Sequence, residues 1–335
     1  MTTVAVVGAT GAVGRTMLSV LGERSFPASR IRLAASERSA GITIDTCLGP
    51  VEVEDLASFD PTGVDVALFS AGGDRSRLHA GRFADAGAVV VDNSSAFRMD
   101  DEVPLVVAGV NDRAAHENKG IIANPNCTTM TLMMAAGPLH EAAGLRSMVV
   151  TSYQAVSGSG HQGVEELLSQ QGPLGSDVDS LMTGGWTDPG AKVYERPIAF
   201  NVLPMAGSEV EGGYTDEEMK LVNESRKILN IPGLDVEPTC VRVPVLVGHG
   251  VAATLRFGRA MTVDEAMSAL SSAPGVEVWK DRTPTPLDSA GRDEVLVGRI
   301  RETVSQPGGL NLWVVGDNLR KGAALNAVQI AELLV

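Results

Sequence analysis

The sequence predicts an α/β fold with two domains, and three observations lead to that prediction. The first 126 residues alternate short, β-branched apolar runs with helix-like segments, which is typical of a parallel sheet covered by helices on both faces. After residue 127, longer strand candidates are grouped with amphipathic helices, which indicates an α+β domain with a mixed sheet. A length of 335 residues also fits two domains of roughly 150 residues each.

The individual elements follow from runs of apolar residues and from helical spacing. The predicted strands cover residues 4–7, 31–35, 64–69, 88–92, 105–110, 121–123, 147–155, 236–247, 250–258, 295–302 and 310–315. The predicted helices cover residues 16–21, 75–86, 129–139, 161–170, 215–229, 263–271 and 318–335. Residues 171–204 are rich in Gly, Pro, Asp and Thr and are predicted to form a long loop.

Charge and composition exclude several classes of protein. The net charge of −14 disfavours binding to nucleic acid or to an anionic membrane, and no apolar run approaches the ~20 residues of a membrane span. The amino-terminal residues do not resemble a signal peptide, and three cysteines without a Cys-x-x-Cys pair suit a reducing compartment. We therefore expect a soluble, cytoplasmic protein without a metal site, in which any anionic ligand is held by local cations or backbone N–H groups.

A glycine-rich turn follows the first predicted strand. Its sequence is Gly8-Ala9-Thr10-Gly11-Ala12-Val13-Gly14, and a predicted helix comes next. Glycines at such a turn let the backbone approach a pyrophosphate, whose charge is met by the helix amino terminus. The spacing Gly-x-x-Gly-x-x-Gly departs from the usual Gly-x-Gly-x-x-Gly, but the position between strand and helix favours a Rossmann-type nucleotide-binding domain. The alternative is a glycine-rich turn without a ligand.

The end of the second predicted strand bears on the choice of cofactor. Glu37, Arg38 and Ser39 stand there. An acidic residue at this place accepts the ribose hydroxyls of NAD, whereas Arg with hydroxyl donors holds the 2′-phosphate of NADP. Arg38 and Ser39 favour NADP, and Glu37 keeps NAD open. A solvated charge pair is the other interpretation of Arg38.

Cys127 stands where a strand ends and a helix begins, in Asn124-Pro125-Asn126-Cys127-Thr128. The amino terminus of a helix stabilises a thiolate, so Cys127 is the candidate nucleophile. Cys47 and Cys240 are interpreted as small buried apolar residues. Beside a nicotinamide cofactor, thiolate addition to an aldehyde creates a thiohemiacetal that can release hydride and become a thioester.

This chemistry requires an acid/base group, and the chain has five histidines. His249 lies between two predicted strands, at a place where side chains commonly enter a site. The other four, His79, His116, His140 and His161, lie in helical patterns or polar turns.

Five motifs, taken together, resemble the aspartate-β-semialdehyde dehydrogenase family of bacterial enzymes. They are the glycine-rich turn, Asn124-Pro125-Asn126-Cys127, Tyr153-Gln154-Ala155-Val156-Ser157-Gly158, Arg242-Val243-Pro244-Val245 with Gly248-His249, and Asp317-Asn318-Leu319-Arg320-Lys321-Gly322. They occur in order over nearly the whole chain. By this resemblance Cys127 is the nucleophile, His249 the acid/base and Gln154 a group that orients the substrate.

The resemblance also implies roles for charged residues and for further cofactor contacts. Arg242 would bind the substrate α-carboxylate, and Glu217 its amino group. Arg98 and Lys220 would hold the phosphate. On the residues alone, each of these charges could instead form a surface ion pair worth at most ~1 kcal/mol. The remaining cofactor contacts implied by the resemblance are Ser157, Gly158 and Asn318.

The family implies domains of residues 1–126 plus 318–335 for NADP binding and of 127–317 for catalysis and dimerisation. The implied reaction is the reversible, NADP-dependent reductive dephosphorylation of L-4-aspartyl phosphate to L-aspartate 4-semialdehyde. It belongs to the route to lysine, diaminopimelate, methionine, threonine and isoleucine. The implied assembly is a homodimer or a dimer of dimers.

Two other functions remain open. N-acetyl-γ-glutamyl-phosphate reductase shares the thiol and the acyl phosphate, but its nucleophile usually follows Asn-Pro-Gly and precedes Tyr, whereas Cys127 has Asn126 and Thr128 as neighbours. A non-catalytic, NADP-binding redox sensor would use Cys127 as its switch, and it would need no carboxylate-binding Arg242.

Overall fold

The computed structural model describes residues 2–335, which form two compact units. Unit 1 contains residues 2–137, 223–232 and 319–335, and unit 2 contains residues 138–222 and 233–318. The chain thus stays in unit 1 beyond the predicted boundary at residue 126, and it returns there for residues 223–232. Among residues 2–335, no helix is both long enough and apolar enough to cross a membrane.

The structure contains thirteen strands and nine α-helices among the described residues. The strands are β1 (Thr2–Val7), β2 (Ala28–Ala35), β3 (Thr43–Thr46), β4 (Gly49–Asp55), β5 (Val66–Phe69), β6 (Val89–Asp92), β7 (Ile121–Ala123), β8 (Leu145–Gln154), β9 (Asp235–Arg242), β10 (His249–Phe257), β11 (Val276–Trp279), β12 (Val295–Glu302) and β13 (Leu310–Gly316). The helices are α1 (Ala12–Glu23), α2 (Gly73–Asp85), α3 (Cys127–Ala143), α4 (Gly160–Gly175), α5 (Val178–Thr183), α6 (Asp216–Ile228), α7 (Val263–Ser271), α8 (Pro286–Ser289) and α9 (Leu325–Glu332). Short 3-10 turns cover Glu37–Ser39, Asp112–Glu117, Val156–Ser159 and Glu211–Gly213, and Arg320–Ala324 is π-helical.

Unit 1 is built on a seven-stranded sheet with the order β3-β4-β2-β1-β5-β6-β7. All neighbours are parallel except β3, which pairs antiparallel with β4 at the edge. The predicted parallel sheet is confirmed, and the antiparallel edge was not predicted. The strand order reverses at β1, so the turn after β1 lies where open α/β sheets bind ligands.

Unit 2 is built on a six-stranded sheet with the order β11-β12-β13-β10-β8-β9. The pairs β8–β9 and β11–β12 are parallel and the other pairs are antiparallel, which confirms the predicted mixed sheet. The predicted strand 236–247 is too long, because β9 ends at Arg242 and Pro244 cannot donate a ladder hydrogen bond. The predicted loop 171–204 contains the end of α4 and all of α5.

The carboxyl-terminal segment is tied into unit 1 by a buried lysine. The ammonium of Lys321 donates to the carbonyl of Ala108 at 2.7 Å, to Asn326 Oδ1 at 3.0 Å and to Gln329 Oε1 at 2.8 Å. Asn326 in turn donates from Nδ2 to Asn124 Oδ1 at 2.6 Å. These bonds connect α9 to the segment that leads into α3.

Candidate active site

The turn after β1 has the shape that a pyrophosphate requires. Gly8 has φ +87°, and a Cβ there would overlap the carbonyl of Ser70. A Cβ on Gly14 would overlap the carbonyl of Gly8, so the first turn of α1 packs directly on the loop. Gly11 is the N-cap of α1, and no side chain caps that terminus. The N–H groups that begin α1, at Ala12 and Val13, are therefore not covered by a capping side chain, which fits an anionic ligand.

The predicted ribose-binding residues lie in the 3-10 turn after β2. Thr10 Oγ1 donates to Ser39 Oγ at 3.4 Å, which connects the two loops that follow β1 and β2. Glu37 and Arg38 are both exposed. Neither side chain forms an ion pair with another residue of the described chain. Both remain accessible to a ribose or to its phosphate.

Cys127 is the first residue of α3, as the sequence predicted for a helix start. Asn126 caps this helix, because its Oδ1 accepts from the N–H groups of Thr128 at 2.9 Å and Thr129 at 3.3 Å. Cys127 is partly exposed, while Cys240 is buried. Burial raises the pKa of Cys240 to about 12, which makes it a poor nucleophile. Cys47 is exposed beside the β3–β4 turn, so its interpretation as a buried residue was wrong.

Arg98 is buried within unit 1. Its Nε donates to the carbonyl of Asn124 at 2.9 Å and its Nη2 to the carbonyl of Asn93 at 3.0 Å. Its Nη1 forms an ion pair with Glu224 Oε1 at 3.1 Å. The alternative of a surface ion pair is therefore wrong for Arg98, and its partner Glu224 was not singled out in the sequence.

In unit 2, His249 is completely buried at the start of β10. Its Nδ1 accepts a hydrogen bond from the N–H of Ala155 at 3.1 Å, so the proton of the neutral ring is carried by Nε2. Burial, and secondarily the charge of Arg242, lowers the pKa of His249 from 6.5 to about 3. The imidazole is thus neutral at ordinary pH and presents Nε2–H as a donor.

Arg242 ends β9 and is also buried. Its Nη1 donates to the carbonyl of Ala155 at 2.8 Å, and its Nε has no hydrogen-bond partner within residues 2–335. No carboxylate of those residues pairs with it. Gly158 lies against both groups, since a Cβ there would be 3.0 Å from Arg242 Nη1 and 3.4 Å from His249 Nε2. The structure therefore brings Arg242, His249 and Gly158 together.

Gln154, Glu217 and Lys220 form a second group in unit 2. Gln154 Nε2 lies 3.4 Å from Glu217 Oε2, and Lys220 Nζ lies 2.7 Å from Glu217 Oε1 and 2.7 Å from Asp216 Oδ2. Burial alone would lower the pKa of Lys220, but the two carboxylates outweigh it and raise that pKa. These groups are partly buried, so a purely surface ion pair does not describe them. Asp216 was not singled out in the sequence.

Asn318 connects two of the predicted cofactor-binding segments. Its Nδ2 donates to Ser157 Oγ at 2.9 Å, and its Oδ1 accepts from the N–H of Gly248 at 2.9 Å. Asn318 therefore fixes the 3-10 turn that holds Ser157 and Gly158 against the residue that precedes His249.

Among the described residues, no group of three or more His, Cys, Asp or Glu is arranged to hold a metal ion.

Two family models match the chain. Residues 3–118 match the semialdehyde dehydrogenase NAD-binding domain, and residues 137–321 match the semialdehyde dehydrogenase dimerisation domain. An aspartate-semialdehyde dehydrogenase of Streptomyces akiyoshiensis is 55% identical over 338 residues, which cover 99% of this chain and 98% of that protein. The chain belongs to the aspartate-semialdehyde dehydrogenase family.

Solved structures of the aspartate-semialdehyde dehydrogenase family support the same assignment. Aspartate semialdehyde dehydrogenase II of Vibrio cholerae, complexed with ASA, has a TM-score of 0.94 at 45% sequence identity. The match covers 100% of this chain and 98% of the Vibrio cholerae chain. Aspartate semialdehyde dehydrogenase of Candida albicans with NADP has a TM-score of 0.74 at 26% sequence identity. The match covers 100% of this chain and 98% of the Candida albicans chain. The matched domain confirms a nicotinamide nucleotide cofactor. The comparisons do not favour the acetylglutamyl-phosphate reductase or the redox sensor.

The lowered pKa of His249 predicts an acid-sensitive fold. As the pH falls below 6.5, an unfolded His249 takes up a proton, whereas the folded one stays neutral down to about pH 3. The unfolded state then binds more protons, so the free energy of unfolding should fall by up to ~1.4 kcal/mol per pH unit. His249→Asn keeps an acceptor near the Nδ1 position and should remove this contribution.

Urea unfolding between about pH 6.5 and pH 5 tests this prediction, because most carboxylates stay ionised there. The wild type should lose roughly 1.6 kcal/mol more than His249→Asn over that interval. The exposed His116 offers a matched control, and His116→Asn should keep the wild-type pH dependence. Identical slopes for the wild type and His249→Asn would contradict the prediction.

Proposed function

We propose that this family member converts L-4-aspartyl phosphate to L-aspartate 4-semialdehyde, with NADPH as reductant and Cys127 as the nucleophile. The observation that carries the proposal is the buried guanidinium of Arg242, which has no carboxylate partner among residues 2–335 and lies beside His249. An unpaired buried charge is costly, and a substrate α-carboxylate would pair with it. The partly buried Glu217 supplies the matching anion for the α-amino group.

Formation of the thioester from the acyl phosphate is an acyl transfer and requires no oxidant or reductant. Cys127 attacks the acyl phosphate as its thiolate, so that the Sγ–C bond forms and the C–O bond to phosphate breaks. Arg98 uses three of its five N–H groups on protein acceptors, which leaves two for the phosphate oxygens. Lys220 donates two of its three N–H groups to carboxylates and retains one.

The second step reduces the thioester. When bound, NADPH supplies the hydride. The Nε2–H of His249 then donates to the developing oxyanion, a role that suits a neutral imidazole held by the N–H of Ala155. Collapse of the tetrahedral adduct breaks the C–S bond, releases the aldehyde and restores the Cys127 thiolate. Gln154, which lies 3.4 Å from Glu217, orients the substrate chain.

We assign nucleotide binding to unit 1 and substrate binding and dimerisation to unit 2. In unit 1 the glycine turn of Gly8, Thr10, Gly11, Ala12, Val13 and Gly14 would hold the pyrophosphate. We assign further cofactor contacts to Ser157, Gly158 and Asn318, as the family resemblance implies. We also propose a reducing, cytoplasmic location, which suits a chain in which Cys47, Cys127 and Cys240 form no disulfide within residues 2–335.

An assay of the purified protein with aspartate semialdehyde, phosphate and NADP should show the formation of NADPH by absorbance. Cys127→Ser should reduce turnover by about 10⁴-fold or more, because the covalent step is lost, and it should keep NADP binding. Cys47→Ser is the matched control and should keep wild-type turnover.

Arg242→Lys should lower kcat/KM for the semialdehyde about 10- to 100-fold, because Lys cannot replace the planar fork of Arg.

Activity on N-acetylglutamate semialdehyde, together with none on aspartate semialdehyde, would overturn the substrate assignment. Turnover by Cys127→Ser close to that of the wild type would overturn the covalent mechanism.

We propose NADP rather than NAD as the cofactor, since the exposed Arg38 beside Ser39 suits a 2′-phosphate. Arg38→Ala should lower the preference for NADP over NAD, measured as a ratio of kcat/KM values, about 10- to 100-fold through loss of a charged hydrogen bond. Glu37→Gln is the neighbouring control, and it should weaken use of NAD while keeping that of NADP. An Arg38→Ala protein with an unchanged preference would contradict this assignment.

We propose a homodimer formed through the exposed face of the six-stranded sheet. Val149 is 50% exposed in the middle of β8, and Tyr153 packs edge-to-face on Trp313 with ring centroids 5.5 Å apart. Exposed apolar groups on a sheet face suit a second copy of the chain, and the matched dimerisation-domain model supports this.

Val149→Arg should shift the protein from dimer to monomer at micromolar concentration in sedimentation velocity, because the charge would be buried in the interface. Val178→Arg is the matched control, since Val178 is 57% exposed but lies on α5, outside the sheet. Dimers that persist in Val149→Arg would exclude this face. A wild type that sediments as a tetramer would indicate a dimer of dimers.

A further inference from the structure

Glu224 is a buried carboxylate for which the proposed chemistry gives no role. It lies on α6 and is 1% exposed. Its Oε1 lies 3.1 Å from Arg98 Nη1, and its Oε2 accepts from the main-chain N–H of Asn126 at 2.7 Å. The same side chain therefore contacts the proposed phosphate-binding arginine and the residue directly before the proposed nucleophile.

These bonds close a ring around the segment that precedes Cys127. Arg98 Nε donates to the carbonyl of Asn124 at 2.9 Å, so Arg98 and Glu224 together hold both sides of Pro125. Asn126 is held twice, because its N–H binds Glu224 and its Oδ1 caps α3. The position of the first residue of α3, Cys127, follows from this arrangement.

The ring requires an acceptor with two oxygens. One oxygen of Glu224 meets a guanidinium and the other meets a backbone N–H, and a buried guanidinium also needs a negative partner. A glutamine offers a single acceptor oxygen, so it can satisfy Asn126 or Arg98 but not both. An alanine satisfies neither.

We propose that Glu224 is a positioning residue that fixes Asn126, and through it Cys127, relative to the guanidinium of Arg98. This inference rests on the proposed roles of Cys127 and Arg98. Glu224 itself touches no reacting atom. It sets the distance between the thiol and the group that meets the phosphate by holding the intervening backbone.

The test compares Glu224→Ala and Glu224→Gln with the wild type, using kcat and KM for aspartate semialdehyde and amide hydrogen exchange resolved at Asn126. Glu224→Ala should lower kcat about 10²-fold, as a small misplacement of reacting groups does. KM should stay within about threefold, because the proposed carboxylate contact of Arg242 is intact. Exchange at Asn126 should accelerate at least about 10-fold. Glu224→Gln should keep Asn126 protected and should recover part of kcat, to about 10-fold below the wild type.

Glu166→Ala is the matched control for loss of a buried carboxylate. Glu166 is buried on α4 and accepts from the N–H groups of Lys192 at 2.8 Å and Val193 at 2.6 Å. This variant should lower Tm but keep kcat and Asn126 exchange near their wild-type values.

The inference is overturned if Glu224→Ala lowers Tm while kcat stays within twofold of the wild type, or if kcat falls while the Asn126 amide remains protected. Should Glu224→Ala not fold, a kcat of Glu224→Gln within twofold of the wild type overturns it. Amide exchange requires no substrate. A wild type without turnover would therefore reject the proposed function, while exchange at Asn126 would still decide whether Glu224 holds this segment.

Discussion

A buried cation must find hydrogen-bond acceptors or a negative partner, and this requirement is the constraint on which the sites of this protein depend. Arg98 satisfies it with Glu224 and two main-chain carbonyls, and Lys321 with a carbonyl and two amide oxygens. Arg242 is equally buried, but it receives one carbonyl and no carboxylate from residues 2–335. Because an unpaired buried charge is destabilising, this contrast distinguishes Arg242 as the buried cation to which we assign the substrate carboxylate.

Burial and, secondarily, the charge of Arg242 determine the protonation state of the neighbouring His249. His249 shares Ala155 with Arg242, since the N–H of Ala155 donates to Nδ1 and its carbonyl accepts from Nη1. Burial, with the Arg242 charge as the second cause, lowers the pKa of His249 to about 3, and the bond from Ala155 selects the tautomer. A neutral donor next to a cation stabilises negative charge on a substrate from two directions. The proposed carboxylate-binding and oxyanion-binding roles therefore both depend on the main chain of one residue, Ala155, directly after β8.

The features that could be predicted from the sequence are those that a few neighbouring residues determine. A glycine turn between a strand and a helix, and a cysteine at a helix start, need only a few neighbouring residues, and both were found at Gly8 and Cys127. The contacts of Glu224 with Arg98 and Asn126 join residues far apart in the sequence, so no local pattern indicates them. The contacts of the Ala155 main chain with Arg242 and His249 were missed for the same reason. Asp216 lies only four residues before Lys220, so helical spacing could have indicated it. For Arg98 the alternative of a surface ion pair stayed open in the sequence analysis, because composition does not report burial.

The net charge of −14 does not prevent the proposed anionic ligands from binding. The reason is that the surface charge and the contacts inside a site act over different distances. At physiological salt the Debye length is about 8 Å, so most of the acidic surface is screened from a ligand that has already entered a site. The contacts that hold the ligand are short and partly or fully buried, and salt weakens them much less. Lys220 shows the balance on a local scale, because Asp216 and Glu217 raise its pKa and thereby keep its ammonium charged. The nearby carboxylates therefore keep this partly buried lysine in its cationic form, which is the form that the proposed phosphate contact requires.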